Sequence, residues 1–248
     1  MITKSELDKL VKKYETKEFF YDDPIGIPNK FQDKKDKELI AFIASLVAYG
    51  RREIFIKKLY QLLDIANNEP YNFIINFEPK ILGDFNYRFG KPNDFAQIFE
   101  ILKRLYKDGS GLEDLFKYGY QNKPDNNMFI PVTDYFYSNA QNPEAMGFKF
   151  MIPNARNGSA MKRMCMFLRW MVRKGEVDFG IWEFMPASEL LIPLDTHVAR
   201  ISREMGLLKR NANDFKAVLE LTENLKAFDP KDPIKYDFAI FGYGINNK

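Results

Sequence analysis

Hydrophobic positions along this chain recur every three to four residues, and alternation of period two is almost absent, so the elements it predicts are helices. Leu7, Leu10, Val11 and Tyr14 mark the inner side of a first helix that Ser5 can cap. Residues 19–32, with Pro24, Gly26 and Pro28, read as an ordered loop. Residues 36–49 contain LIAFIASLVAY, apolar nearly all round, the mark of a helix buried on every side. Gly50-Arg51-Arg52 ends it, and another helix is predicted over 53–66. Further helices are expected at 71–77, 94–106, 112–120, 132–140 and 143–150, with a polar loop at 122–127. Asn157-Gly158 is a turn, Ser159 a helix cap and Gly175 a stop. Between them Met161, Met164, Cys165, Leu168, Met171 and Val172 form an apolar stripe. Asp195 opens a helix carrying Val198, Ile201, Met205 and Leu208 on one face, and two more helices are expected at 214–226 and 233–243. The fold class is therefore all-α, with about ten to twelve helices and no internal repeat.

Composition narrows this. With 248 residues, 46% of them hydrophobic and 15% aromatic, the chain can bury a sizeable core. A net charge of +3 permits a nucleic-acid partner without demanding one. One cysteine excludes an intramolecular disulfide and a four-cysteine cluster, and one cysteine with one histidine cannot build a closed transition-metal site. No metal and no cofactor are expected. MITKSELDKL is not a signal peptide and no apolar run reaches membrane-spanning length, so the expected setting is the reduced cytoplasm, near the nucleoid, away from membrane.

Charge is distributed unevenly. From Arg156 to Lys174 there are six basic residues and no acidic one. Such a stripe is most often a solvated face, but without interspersed carboxylates it implies an anionic partner and salt-dependent binding. Asp195, at a helix start, accepts backbone N–H bonds and is kept ionised by the helix dipole. An aspartate there is usually only a cap. His197, the single histidine, stands two residues later.

The segments IPNARNGSAMKRMCMFLRWMVRK (152–174) and IPLDTHVARISREMGLL (192–208) together resemble the helix-hairpin-helix DNA glycosylase superfamily, which includes endonuclease III and the 8-oxoguanine glycosylases. Across the whole chain, IASLVAYGRR, KRMCMFLRWMVR, PLDTHVAR and KYDFAIFGYG are similar to an uncharacterised bacterial family related to that superfamily. The resemblance implies one glycosylase-like unit over 1–248. Its two helical lobes interleave around a cleft, with the hairpin and catalytic segment at 151–208. It also implies that Lys162 is the catalytic lysine and Asp195 the catalytic aspartate. Lys162 would attack the sugar as a neutral amine, and Asp195 would stabilise charge on the sugar ring. Arg156, Asn157, Gly158, Ser159, Arg163, His197 and Arg51 would contact DNA, His197 through a phosphate. Arg52 is paired with Arg51 where related enzymes reach into the duplex.

Met166, Trp170 and Phe241 are the expected base pocket, with Phe148, Phe150 and Tyr243 in flanking segments. The family hairpin carries a Gly-hydrophobic-Gly pattern; here only Gly158 remains, which leaves Ser159 and the helix start to bind phosphate. The implied function is removal of a damaged base from double-stranded DNA by a monomer, oxidised guanine first. A lysine Schiff base would then permit strand cleavage. Alternatives are a glycosylase for alkylated or deaminated bases, a catalytically silent nucleic-acid-binding module, and a protein-interaction domain.

Overall fold

The structure is a computed structural model that describes residues 2–18 and 23–246, the last two by backbone alone. Twelve α-helices occupy the described residues. The first eight are α1 (Lys4–Tyr14), α2 (Lys34–Val47), α3 (Arg52–Ile65), α4 (Pro70–Ile75), α5 (Pro92–Lys107), α6 (Leu112–Asn122), α7 (Phe129–Asn139) and α8 (Met146–Met151). Then come α9 (Lys162–Val172), α10 (Thr196–Glu204), α11 (Phe215–Lys226) and α12 (Tyr236–Asn246). Among the described residues there is no strand, only isolated bridges such as Ser159 with Asp214. The all-α expectation holds, and no helix is long and apolar enough to cross a membrane. The irregular segment expected at 19–32 forms short 3-10 turns at Pro24–Gly26 and Pro28–Lys30; residues 19–22 lie outside the described residues.

Contacts divide the chain into two compact units, residues 27–157 and residues 1–26 with 158–248. The first is built on α2. Asp33 caps that helix by accepting from the backbone N–H groups of Lys35 and Asp36, and every residue from Glu38 to Val47 is buried. Fully burying a Leu, Ile or Phe side chain stabilises by about 1.5–3 kcal/mol, so this helix anchors the unit. Phe42 stacks on Phe136 of α7, while Phe73, Phe77 and Phe99 meet edge to face. Glu38 and Ser45 are the polar exceptions: Glu38 accepts from the Tyr106 hydroxyl, and the Ser45 hydroxyl donates to the Phe42 carbonyl over 2.7 Å.

The second unit joins the chain's first helix to its last ones. Thr3, not Ser5, caps α1: Thr3 and Glu6 form a reciprocal capping box, and Ser5 lies within the first turn. Leu7 is wholly buried, and Tyr236 at the start of α12 donates to Asp8 of α1 over 2.9 Å. The segment after α9 turns back along that helix. Phe179 N–H donates to the Trp170 carbonyl and Trp182 N–H to that of Met171, each over 2.8 Å. These bonds satisfy carbonyls that a helix end leaves open and return the chain toward Asp195.

Candidate active site

Two helix starts meet in the second unit. Asp195 is the N-cap of α10, and its Oδ1 accepts from the Val198 N–H over 2.8 Å. Its other oxygen, Oδ2, lies 3.3 Å from Nζ of Lys162, the first residue of α9. The Lys162 side chain is 33% exposed and that of Asp195 27%, so the pair is reachable but not free in solvent. The lysine and aspartate singled out in the sequence, thirty-three positions apart, are thus in direct contact.

The approach to Lys162 differs from expectation. Ser159 does not cap α9. That position belongs to Met161, which has left-handed backbone at φ 50° and caps with no side-chain hydrogen bond. Ser159 Oγ instead accepts from the Met161 N–H at 3.4 Å, and the Gly158 carbonyl accepts from the Phe215 N–H at 2.9 Å. The physical reason is the turn: Gly158 at φ +71° directs the chain against the start of α11 before α9 can begin. Methionine in the left-handed region costs roughly 1–2 kcal/mol, and it immediately precedes the lysine.

The basic stripe is not an uncompensated positive face. Arg169 and Arg173 are 5% and 4% exposed and lie within a buried ion network. Arg169 Nε donates to Asp178 over 3.1 Å, and its Nη1 pairs with Asp237 of α12. Arg173 pairs with Glu15, with Asp178 over 2.9 Å and with Asp232 over 2.9 Å. Lys174 pairs with Glu183, and Arg156 forms a two-pronged pair with Asp134. The missing carboxylates come from other parts of the chain, which corrects the inference of an uncompensated positive face. Arg163 is half-buried.

Other expected contacts move as well. Trp170 is completely buried, so it belongs to the core and does not line a base pocket. Phe148 is equally buried. Met166, one turn along α9 from Lys162, is 9% exposed. His197 packs edge-on to Phe241 at 5.9 Å, and its Nε2 is buried against Gly244 without a hydrogen-bond partner. A Cβ at Gly244 would stand 2.2 Å from that nitrogen, so α12 closes over it and Nε2 cannot reach a phosphate. Arg156, Asn157 and Gly158 are exposed; Arg156, Asn157 and the exposed Arg51 belong to the 27–157 unit.

Asp237 was not anticipated. It is 7% exposed and one turn before Phe241 on α12. Burial pushes its carboxyl up to about 6; attraction to Arg169 and Lys162 is opposed by repulsion from Asp195 and Asp178. Its only local signal was an aspartate inside an apolar helix, KYDFAIFGYG, where an acid needs a buried partner. Burial also pushes the Cys165 thiol far up, which removes it as a nucleophile at neutral pH. Among the described residues no three His, Cys, Asp or Glu side chains converge as metal ligands.

Residues 23–246 match a family described as protein of unknown function (DUF2400). No curated protein and no solved structure matches the chain.

Proposed function

The chain belongs to the DUF2400 family, whose function is unknown, and from that premise we propose that it is a DNA glycosylase with an associated lyase step, acting on a damaged base. Oxidised guanine is the first candidate lesion. The observation that carries the reading is the 3.3 Å approach of Lys162 Nζ to Asp195 Oδ2, with the aspartate's other oxygen fixed by the α10 backbone. Stability does not account for it. A partly exposed ion pair contributes at most about 1 kcal/mol, no more than the strain at Met161 costs. Strained backbone beside a partly exposed amine fits a group held in place for chemistry.

The chemistry follows from the pair. Asp195 accepts a proton from the Lys162 ammonium, and the neutral amine attacks the sugar C1′. As the C1′–N bond breaks, the base leaves with its electrons and takes up the proton that Asp195 accepted, which restores the carboxylate. Positive charge on the sugar ring in the transition state is stabilised by the fixed carboxylate. Opening of the ring gives a Schiff base between Nζ and C1′. Loss of a C2′ proton then expels the 3′ phosphate, and water releases the lysine.

A second reading, a catalytically silent nucleic-acid-binding scaffold, is favoured by the contact itself, because a lysine and an aspartate 3.3 Å apart also make an ordinary ion pair. One experiment separates the two. Borohydride should trap the protein covalently on a lesion-bearing duplex from a panel, and Lys162→Gln should abolish the adduct. Asp195→Asn should slow base release by at least about a hundredfold while still capping α10. If no duplex in the panel is trapped, the silent scaffold stands. Trapping that survives Lys162→Gln would remove the lysine from its role.

A further inference from the structure

Away from the Lys162–Asp195 pair, the 27–157 unit carries a group of aromatic rings on its surface. Phe89 and Phe150 are 41% and 36% exposed, large values for phenylalanine, and their centroids lie 4.7 Å apart. Tyr49, half-buried, meets Phe150 edge-on at 4.6 Å, and the Arg88 guanidinium lies 5.8 Å from the centre of the Tyr49 ring.

This cluster is built rather than incidental. Arg88 and Phe89 form the tip of a tight turn closed by paired backbone bonds between Tyr87 and Gly90, both 2.9 Å. Arg88 holds φ 51°, a conformation that glycine or asparagine adopts far more readily. The Tyr49 hydroxyl donates to the Tyr87 carbonyl over 3.1 Å, and the Tyr87 hydroxyl donates to the Tyr49 carbonyl, which locks the end of the core helix segment onto the turn. Asp94, buried in the first turn of α5, accepts from the Lys91 N–H over 2.9 Å and from the Phe148 N–H over 3.2 Å. Gly147 leaves room for this: a Cβ there would fall 2.3 Å from Asp94 Oδ2 and 2.5 Å from the Phe89 carbonyl. So α8 is seated against the turn, and Phe150 stands beside Phe89.

The surroundings are cationic. Residues 49–53 and 87–94 carry Arg51, Arg52, Arg88 and Lys91 against two acids, Glu53 and Asp94, and Asp94 is buried. Three partly exposed rings present on the order of 200 Å² of apolar surface. A stable protein interface needs about 1,200–2,000 Å², whereas one or two nucleobases need only a ring face and a nearby cation for the backbone.

We infer that Tyr49, Phe89 and Phe150, flanked by Arg88, form a stacking surface for unpaired bases of single-stranded nucleic acid. The inference is independent of the glycosylase reading, because it concerns an undamaged strand and residues outside the Lys162–Asp195 pair. Arg88 supplies charge toward the phosphates, and the rings accept bases without regard to sequence.

Fluorescence anisotropy with a labelled, lesion-free single strand of roughly sixteen nucleotides at low salt tests this. The wild-type chain should bind the strand and prefer it to the same sequence as duplex. Phe89→Ala with Phe150→Ala should weaken binding about tenfold or more, the loss expected for one or two stacked bases. Both side chains are exposed, so the double variant should keep the wild-type helical circular dichroism; Phe89→Trp, in a second variant, should restore or strengthen binding. Failure of the wild type to bind the strand overturns the inference and leaves the surface to a protein partner. Equal affinity in wild type and double variant, or a preference for duplex that the double variant retains, overturns it as well.

Discussion

Asp237, whose carboxyl is influenced by both Lys162 and Asp195, belongs to a buried ion network beside the candidate site. Its network holds two guanidiniums, Arg169 and Arg173, among four carboxylates, Glu15, Asp178, Asp232 and Asp237 itself. Burial, and after it repulsion from Asp195 and Asp178, lets Asp237 retain its proton up to about pH 6. The ordinary value is 3.8, so the folded chain holds this proton more tightly than the unfolded chain does. The stability it contributes is complete below about pH 4 and is lost as pH rises to about 6, after which it stays constant. The loss is on the order of 3 kcal/mol. Asp214 and Asp229, held near 2 by Arg210 and Lys235 respectively, act in the opposite sense and at lower pH, so the windows do not overlap. Urea unfolding of wild type and Asp237→Asn between pH 4 and 7 should show a stability difference that shrinks by that amount as pH rises. A difference that stays constant across the range would mean that Asp237 is ionised throughout.

Helix α9 and its C-cap turn Arg169 and Arg173 toward acids that lie outside the helix. Its polar side is turned inward, and Arg169 and Arg173 find their acids at positions 15, 178, 232 and 237. Removing one member of a buried pair costs about 3–5 kcal/mol, because the partner charge stays behind. Arg169→Met should therefore destabilise by about that amount, whereas Arg156→Ala, at an exposed pair, should leave the unfolding midpoint nearly unchanged. Denaturant titration compares them, and equal losses would return Arg169 to the surface. The sequence carried what is local: the apolar run of α2, buried throughout, and the cap at Asp195, which needs only an acid before a helical stripe. It also marked Lys162 as the partner of Asp195, through resemblance and not through spacing. It could not show acids supplied from elsewhere, nor the left-handed Met161 that displaces Ser159 from its cap, because both depend on contacts formed only in the folded chain.

For the whole chain, the division at residues 27 and 158 has a direct test. Residues 27–157 are continuous in sequence and carry their own core, with Phe42, Phe99, Phe116, Phe129 and Phe136 fully buried. A fragment of those residues should fold alone, with a helical spectrum and a single cooperative urea transition. A broad, non-cooperative transition would show that its core needs the rest of the chain.

The pairing of α1 with α12 bears on how the molecule is made. Asp8 and Tyr236, hydrogen-bonded in the finished fold, are separated by 228 positions. During synthesis α1 is therefore made more than two hundred residues before α12, its hydrogen-bonded partner in the same unit. Residues 27–157 have no such wait. At about 5–20 residues per second, α1 stays unpartnered for some ten to fifty seconds, a delay long compared with helix formation itself. Its exposed lysines, Lys4, Lys9, Lys12 and Lys13, keep that short amphipathic segment soluble in the meantime. Helix α1 is therefore made before residues 27–157 and fixed in place after them.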